Sequence, residues 1–454
     1  MTKFANTWMV IFGLITGLST QAQTDSAVYE IADWEDFRES AITYTFDDNC
    51  PNQYTKAVPM FDALGFTGTF YTVTDWSPQW TTLEQMAAKG HEIGSHCVTH
   101  TSLYGLRASK EIPELRDSKD LINAHVPSQQ CVTMSYPYCA VGDTALCSQY
   151  YISARGCQGF VENKTPGDML NVSSIICGTE GSVKTVAHFK EKINSAVNKK
   201  GWCVFLIHGI DDDPGGYSPL SSAVFNNSLL YCNIRNYKCW VSTFASVSKY
   251  IRERNSAVVA VQSMSDSLIV LQVTDGLPDS VYNYPLTLRR PLPLNWPAAE
   301  VKQNDMPVST MYTKIDTVVY LIFKAIPDAG DVKLTLSNEP IELIDMNQEG
   351  EDTIGEPEIP SAIDIRDGEE PSLHEGLKLN YNAGEIMFEL PSGSGRDATL
   401  SLYNTTGVLL ATYEVRNMSH RKGSVRIPED VERAGICIVR VTDTKGTWSG
   451  KLVL

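Results

Sequence analysis

The chain has 454 residues, enough for two to four domains, and 43% of them are hydrophobic, as in an ordinary globular protein. Its formal net charge of -17 argues against nucleic acid or an anionic membrane surface as a partner. Most of this charge is concentrated in residues 339–375, whose thirteen acidic side chains face one basic residue, Arg366. The rest of the chain is therefore only mildly acidic.

Residues 1–22 have the organisation of an export signal. Lys3 supplies positive charge, Trp8 to Leu18 form a short apolar run, and Thr20-Gln-Ala22 resembles a small-x-small cleavage site. A transmembrane anchor would need a longer apolar run, and no later segment is long and apolar enough to span a bilayer. We therefore expect cleavage near Ala22 and a secreted or cell-surface protein.

Eleven cysteines suit an oxidising compartment, and ten of them lie between Cys50 and Cys239. We expect disulfides in that part of the chain, although spacing alone does not define the pairs. Cys232 and Cys239 could close a small loop. A thiolate metal site is the weaker alternative because no C-x-x-C pair is present.

After a lead-in at residues 23–40 that reads as exposed, strand-like runs alternate with helical ones as far as Asn255. The run Ala41 to Phe46 is rich in β-branched and aromatic residues and predicts a buried strand. Strands that alternate with helices indicate parallel βα units. We therefore predict an α/β fold over residues 38–255, a distorted barrel of about seven units whose chemistry lies at the carboxyl ends of the strands.

Two adjacent carboxylates, Asp47 and Asp48, follow this first strand directly. Adjacent carboxylates repel each other, and a metal cation held by one of them would leave the other free as a base. His96 and His100 are four residues apart, the spacing at which a helix presents two imidazoles on one face. Asp48, His96 and His100 thus form a candidate three-ligand metal site. The simpler alternatives are a turn or helix cap for the acidic pair and a solvated face for the histidines.

A further predicted strand, Trp202 to Ile207, is followed by His208. Four segments occur in order: Thr45-Phe-Asp-Asp48, His96-Cys-Val-Thr-His100, Ser135-Tyr-Pro-Tyr138 and Leu206-Ile-His208. This ordered set resembles the motifs of the polysaccharide deacetylases, carbohydrate esterase family 4 with the NodB homology domain. Cys97 stands where the second motif usually has a hydroxyl residue, Ser135 stands where the third has Arg, and the fourth motif, D-x-x-D-W, cannot be placed.

The resemblance implies a metal-dependent hydrolase that removes acetyl groups from an N- or O-acetylated polysaccharide or oligosaccharide. It implies these roles: Asp48, His96 and His100 as ligands of a divalent metal, Asp47 as general base, His208 as general acid, the backbone N–H of Tyr138 as an oxyanion donor, and Leu206 as part of the acetyl-methyl pocket. Zn²⁺ is the expected metal because it suits two imidazoles and a carboxylate.

Ser135 removes the family's charge partner of the base, so the pKa of Asp47 should rise. Arg155 ends a later predicted strand and could supply the charge from another side, while a surface ion pair is the equal alternative for it. The rival reading of the chain is a catalytically weak or inactive barrel that serves as a secreted glycan-binding module. No G-x-S-x-G elbow or P-loop is present, which argues against a serine esterase and a P-loop nucleotide enzyme.

Three aromatic residues in predicted loops, Trp76, Trp80 and Tyr217, could stack on sugar rings, although single exposed apolar residues are common. The run Asp211-Asp-Asp213 could shape the rim of the site or bind calcium, but a turn is the simpler interpretation.

Strand-rich sequence resumes after residue 255. Residues 256–337 predict a small β-sandwich, and residues 338–375 predict an acidic, solvated linker. Residues 376–454 predict another β-sandwich that resembles the C-terminal sorting domain of type IX secretion substrates, in Leu402-Tyr-Asn-Thr-Thr-Gly407 and the final Lys451-Leu-Val-Leu454. That resemblance implies contact with secretion machinery. An ordinary accessory module, such as a carbohydrate-binding one, is the alternative.

Overall fold

The computed structural model describes residues 28–214, 216–344, 377–382, 385–390, 397–404, 409–416, 418, 422–427, 436–443 and 446–453. The predicted export signal at 1–22, most of the predicted linker at 338–375 and parts of the predicted sorting domain lie outside these residues. The described chain divides into two compact units, residues 28–38 with 248–344, and residues 39–247 with the described residues after 376. Across the described ranges, no helix has the length and apolar character needed to cross a membrane.

A two-residue strand, β1 (Glu30–Ile31), precedes the strands of a parallel sheet. The sheet strands are β2 (Ser40–Phe46), β3 (Thr69–Thr72), β4 (Glu92–Ser95), β5 (Thr133–Ser135), β6 (Ser153–Arg155), β7 (Ile175–Ile176), β8 (Trp202–Ile207) and β9 (Cys239–Val241). Their order is β6-β5-β4-β3-β2-β8-β7, and β9 pairs with the start of β2. A backbone bridge from Arg155 to Val172 brings the chain just before β7 beside β6. The predicted distorted α/β barrel of about seven units is confirmed.

Each of the seven α-helices in the described chain follows one of these strands. They are α1 (Val58–Asp62), α2 (Trp80–Ala88), α3 (Ala108–His125), α4 (Thr144–Cys147), α5 (Val186–Lys199), α6 (Ser222–Asn233) and α7 (Phe244–Ser256). Helix α5 shows why they pack on the sheet: Phe189, Ile193, Ala196 and Val197 recur at helical spacing and are all buried. Thr185 caps its first turn by accepting a hydrogen bond from the N–H of His188, and Lys200 ends it in a left-handed conformation.

The core centres on β2, in which every residue is buried. Phe46 stacks on Phe70 of β3 with ring centroids 4.9 Å apart, and Tyr44 packs against Phe205 of β8 at 5.1 Å. Burial of each such side chain stabilises the fold by roughly 1.5–3 kcal/mol. The strand that carries Asp47 and Asp48 is therefore a rigid support.

The unit formed by residues 28–38 and 248–344 contains two five-stranded sheets. One consists of β1, β12 (Leu286–Pro291), β16 (Val318–Ala325), β15 (Thr310–Ile315) and β18 (Leu343–Ile344), and the other of β10 (Val258–Met264), β11 (Leu268–Thr274), β17 (Val332–Ser337), β13 (Ala298–Gln303) and β14 (Met306–Val308). The described part of the predicted lead-in, residues 28–40, is not exposed as predicted, because Trp34 is fully buried and β1 pairs with β12. Leu343 and Ile344, at the start of the predicted linker, pair with β15.

The C-terminal residues also form two sheets, with strands β19 (Lys378–Asn382), β20 (Glu385–Glu389) and β23 (Lys422–Arg426) in one and β22 (Leu409–Val415), β21 (Ala398–Asn404), β24 (Ile436–Asp443) and β25 (Gly446–Val453) in the other. Both sheets contribute to one core, to which Ile386 and Phe388 come from the first and Leu400 and Val441 from the second. The region is thus an all-β sandwich, as predicted.

A disulfide joins Cys139, just after β5, to Cys157, just after β6. Cys232 and Cys239, which the sequence suggested as a pair, are free thiols buried in the barrel. The bond that is present tethers two loops at the carboxyl end of the sheet, the end at which the predicted site residues lie.

Candidate active site

The carboxyl ends of the parallel strands bring the predicted site residues to one edge of the barrel. Asp47 follows β2, His96 follows β4, and His208 follows β8, while Ser135 and Arg155 are the last residues of β5 and β6. This is the edge at which barrels of parallel strands carry their chemistry.

Asp48, His96 and His100 form a compact group of possible metal ligands. One ligand atom from each lies within 4.8 Å of the others. The Oδ1 atom of Asp48 is 3.5 Å from Nε2 of His96 and 3.3 Å from Nε2 of His100. Within the described residues this buried oxygen has no hydrogen-bond partner. An unsatisfied buried oxygen beside two imidazole nitrogens fits a divalent cation, and this donor set suits zinc.

The two histidines lie in a loop, so the prediction that they share a helix face is wrong. Strand β4 ends at Ser95, and the chain turns through left-handed conformations at Cys97 (φ 66°) and His100 (φ 59°). The carboxylate of Glu114 in α3 accepts hydrogen bonds from the backbone N–H groups of Val98 and Thr99, each at 2.9 Å. These bonds hold the turn that brings the two imidazole rings to a centroid distance of 4.9 Å.

The ring of His96 is held from behind by Ser135. Its Nδ1 lies 2.9 Å from the carbonyl oxygen of Ser135 and 2.6 Å from the hydroxyl oxygen of the same residue. Burial lowers the pKa of His96 to about 4, so the ring is neutral at ordinary pH. A neutral ring whose Nδ1 faces the protein leaves Nε2 available as a ligand.

Arg155 forms a buried ion pair with the predicted base, Asp47. Its Nη2 lies 2.6 Å from Oδ1 of Asp47 and also contacts Oδ2, and the two residues are only 1% and 3% exposed. The alternative of a surface ion pair is therefore wrong. Burial alone would raise the pKa of Asp47, but the charge of Arg155 opposes it most strongly, and His96 and His208 add to this at the low pH where they are protonated, so that the pKa of Asp47 is lowered. The expectation that Ser135 would leave Asp47 with a raised pKa is wrong, because Arg155 supplies the missing charge from β6.

The guanidinium of Arg155 has supports of its own. Its Nη1 donates to the hydroxyl of Ser174 at 3.1 Å, and its centre lies 5.3 Å from the ring centroid of Tyr71. A planar cation held by a hydrogen bond and an aromatic ring has little freedom to leave the carboxylate.

Asp48 and His208 complete the charged group. Burial, and then the neighbouring charge of Asp47, raise the pKa of Asp48 to about 7. Nε2 of His208 is 3.8 Å from Oδ2 of Asp48, and burial lowers the pKa of His208. Its Nδ1 is buried without a hydrogen-bond partner in the described part of the chain. The geometry therefore brings together a paired, ionised carboxylate, a free carboxylate oxygen and three imidazoles at one edge of the barrel.

One family model matches the first half of this barrel. Residues 35–152 match the polysaccharide deacetylase family. That range contains Asp47, Asp48, His96, His100 and Tyr138 and ends before Arg155 and His208. The motif resemblance is thus supported over these residues, whereas the resemblance of residues 376–454 to a sorting domain stays a prediction.

Three individual proteins show what the chain is similar to. It is 26% identical over 325 residues to a gellan lyase from a Bacillus species, a match that covers 67% of this chain and 13% of that protein. It is 32% identical over 104 residues to YxkH of Bacillus subtilis (strain 168), named as a polysaccharide deacetylase, with 22% and 37% covered. A Mycobacterium smegmatis crystal structure described as a polysaccharide deacetylase has 16% identity and a TM-score of 0.40, with 50% of this chain and 94% of that one covered. The matches thus span about an eighth of the length of the gellan lyase and just over a third of the length of YxkH.

Exposed aromatic rings flank the imidazoles of the candidate site. Tyr138 is 71% exposed with its ring centroid 4.5 Å from that of His100, and Trp76 packs on the same histidine at 5.0 Å. Tyr217 packs against His208 at 4.9 Å. These three rings offer apolar faces at the mouth of the site.

Other sequence candidates have different positions. Trp80 stacks on His125 at 4.5 Å and does not join the exposed aromatic residues, and Leu206 is buried within β8. In the run Asp211-Asp-Asp213, Asp213 accepts hydrogen bonds from the N–H groups of Asn52 and Ile210, and Asp211 pairs with Lys56. These are the contacts of a structural turn, and they explain the run without calcium.

Three supporting residues were not anticipated: Glu114, Ser174 and Gln53. Each of them forms a hydrogen bond with a residue at least 15 positions away in the sequence. The partners are Thr99 for Glu114, Arg155 for Ser174 and His208 for Gln53. No local pattern marks such residues, since a lone glutamate, serine or glutamine is usual on any surface helix or loop.

Proposed function

We propose that the barrel is a metal-dependent hydrolase that removes acetyl groups from an acetylated polysaccharide. The observation that carries the proposal is the convergence of Asp48, His96 and His100 beside the ion-paired carboxylate of Asp47. Two relatives are named for polysaccharide chemistry, one as a gellan lyase and one as a polysaccharide deacetylase, which supports a polysaccharide as the substrate class.

The metal would be held by Asp48, His96 and His100, with zinc as the expected ion. The free Oδ1 of Asp48 and the neutral ring of His96 support this assignment. When bound, a divalent cation supplies Lewis acidity that stabilises negative charge on an acetyl carbonyl oxygen and makes water easier to deprotonate.

Asp47 is the general base of the proposed reaction. Because Arg155 keeps its carboxylate ionised, Asp47 can accept the proton of a water whose oxygen attacks the acetyl carbonyl carbon. The Arg155 charge also makes it a weaker base than an unpaired buried carboxylate would be.

His208 is the general acid. After the attack, the bond from the carbonyl carbon to the sugar nitrogen or oxygen breaks, and His208 gives its proton to that leaving atom, so that acetate and a deacetylated sugar are the products. The lowered pKa of His208 makes its protonated form a strong donor. We assign the backbone N–H of Tyr138 to the oxyanion and Leu206 to the methyl pocket, with Trp76, Tyr138 and Tyr217 as faces for sugar rings.

The inactive-module alternative was motivated by Ser135, which replaces the family's arginine, and by the fourth motif, which has no match in this sequence. A guanidinium nevertheless reaches the same carboxylate from Arg155. The argument from Ser135 is therefore weaker than the sequence suggested, whereas the argument from the fourth motif is unchanged.

Acetate release from chitin oligomers, peptidoglycan and acetylated xylan by the zinc-loaded full chain tests the proposal. Asp47→Asn should reduce release by at least about a hundredfold, the usual contribution of a general base, and His96→Ala should also weaken zinc binding. Asp117→Asn and His125→Ala are matched controls because both residues are exposed and remote from the ligand group. No release from any glycan by folded, zinc-bound protein would favour the binding-module reading.

We also infer that the chain is exported, with cleavage near Ala22, and that residues 376–454 deliver it to type IX secretion machinery. The N-terminal signal and the C-terminal motifs support this inference. N-terminal sequencing of the extracellular protein should begin near Gln23, and deletion of residues 376–454 should retain the protein inside the cell. Extracellular recovery of the deleted form would contradict the sorting role.

A further inference from the structure

Gln53 is a buried polar residue beneath the site, and the proposed reaction gives it no role. It is 1% exposed and begins a π-helical turn, Gln53–Ala57, that leads into α1. A buried amide is costly unless it is hydrogen-bonded, and π-helical turns are frequent at functional sites. Its contacts therefore indicate what this residue does.

The side chain of Gln53 joins the two proposed acid–base residues through their backbones. Its Nε2 donates one hydrogen bond to the carbonyl oxygen of Asp47 at 2.5 Å and another to the carbonyl oxygen of His208 at 2.9 Å. An amide nitrogen carries two hydrogens, so each acceptor takes one of them.

These bonds lie where the strand pairing stops. Strands β2 and β8 pair as far as Phe46 and Ile207, and the N–H of Asp47 donates to the carbonyl of Ile207 at 3.0 Å. The chain then leaves the strand direction, because Asp48 has a φ of 73°. The amide of Gln53 thus takes the place of the next backbone hydrogen bonds between the two strands.

The preceding residue extends the same connection. Nδ2 of Asn52 donates to the carbonyl oxygen of Ile210 at 2.9 Å, and its backbone N–H donates to Oδ1 of Asp213 at 2.8 Å. The segment after β2 therefore holds the loop after β8 at two successive residues. Gln53 is the one of the two that contacts the proposed base and acid.

We propose that Gln53 is a positioning residue that fixes the separation of Asp47 and His208. This inference rests on the proposed function, because general base and acid must act on opposite sides of one acetyl group. A misplacement of about 1 Å can reduce a rate about a hundredfold, so loss of the connection should lower kcat. Substrate binding and metal binding use other atoms, so KM and zinc affinity should change little.

The test compares Gln53→Met with Gln129→Met in the zinc-loaded full chain. Methionine keeps the length of the side chain and removes both donors. Gln129 is the matched control because its amide also bonds to backbone, at the N–H and the carbonyl of Ile93, away from the site. Measurements are kcat, KM, zinc affinity and amide hydrogen exchange of residues 208–213.

We expect Gln53→Met to lower kcat at least about tenfold with KM within about twofold, and to speed exchange at residues 208–213. Gln129→Met should change neither. A kcat for Gln53→Met within about twofold of wild type would overturn the inference while leaving the proposed function intact. Gln53→Asn, which shortens the reach of the amide by one methylene, makes the same test if Gln53→Met does not fold.

If the wild-type chain releases no acetate from any glycan, the proposed function fails by itself. Hydrogen exchange then tests whether Gln53 connects the ends of β2 and β8. Faster exchange at residues 208–213 in Gln53→Met would support the connection between the two strand ends, and unchanged exchange would overturn it.

Discussion

Buried carboxylates lie at both ends of the barrel sheet, and their surroundings differ. At the amino end, Glu92 begins β4 and is 6% exposed. Its Oε2 accepts hydrogen bonds from the hydroxyl of Thr69 at 2.9 Å and from the N–H of Ala245 at 2.7 Å, and its Oε1 accepts one from Thr133. At the carboxyl end, Asp47 faces the guanidinium of Arg155, and beside it Oδ1 of Asp48 has no hydrogen-bond partner in the described chain.

This difference indicates that Glu92 stabilises the fold, whereas Asp47 and Asp48 are arranged to bind or react. The oxygens of Glu92 are engaged by donors from β3, β5 and the first turn of α7, so this carboxylate connects elements. At the other end one carboxylate is kept charged and one oxygen is left over, an arrangement that costs stability unless a ligand binds. Substitutions at the two ends should therefore differ in kind.

The largest effect is expected at Arg155. Arg155→Met leaves Asp47 buried without its cation, which should lower the free energy of unfolding by about 3–5 kcal/mol. Because Arg155 is the largest influence that opposes burial, its loss should raise the pKa of Asp47, and kcat/KM should fall at neutral pH. Urea unfolding and acetate release measure the two effects.

The double variant Asp47→Asn/Arg155→Met is the control for this prediction. It removes both charges, so most of the lost stability should return while acetate release stays low. If Arg155→Met alone were as stable as wild type, the ion pair would not be what holds Asp47.

The site residues that the sequence predicted were those marked by local pattern. Asp47, Asp48 and His208 follow strands whose buried character is readable from their β-branched and aromatic residues, and parallel strands bring their carboxyl ends together. The barrel was predictable for the same reason.

What could not be predicted depends on backbone conformation or distant contacts. A spacing of four residues does not distinguish a helix from a loop with left-handed residues, so the arrangement around Cys97 was missed. Arg155 was only a possible charge partner of Asp47 in the sequence, because the position of β6 beside β5 is known only from the strand order. Gln53 was missed because its second acceptor, His208, lies 155 residues further on. Trp34 was assigned to an exposed lead-in because two paired residues in β1 give no periodic signal.

A smaller effect, on stability alone, is expected at the amino end. Glu92→Gln keeps the shape of the side chain but replaces one carboxylate oxygen, an acceptor, with an NH2 group, a donor. This NH2 group would then face the hydroxyl or backbone N–H groups that donate to Glu92 in the wild type. The free energy of unfolding should fall by about 1–3 kcal/mol, the cost of a buried polar group left without its partner. Since Glu92 is remote from the site, kcat per folded molecule should equal that of wild type. A loss of kcat without a loss of stability would contradict the division between the two ends.

Glu253 is a further buried carboxylate, in the unit of residues 28–38 and 248–344. It should make the free energy of unfolding depend on pH, with a smaller change per pH unit than the changes predicted above. It is fully buried, and its carboxylate accepts the N–H of Tyr284 at 2.9 and 3.2 Å. Burial, and further the charge of Asp275, raise its pKa to about 8, whereas the pKa of glutamate in an unfolded chain is about 4.3. Between those values the folded state keeps a proton that the unfolded state has released. The free energy of unfolding should therefore fall as pH rises, by at most about 1.4 kcal/mol per pH unit, whereas the contribution of the ion pair between Asp47 and Arg155 is lost as pH falls.

The variant Glu253→Gln cannot titrate at this position. Its stability advantage over wild type, measured by urea unfolding, should therefore grow from pH 5 to pH 8. A constant difference would show that Glu253 is already ionised in the folded protein.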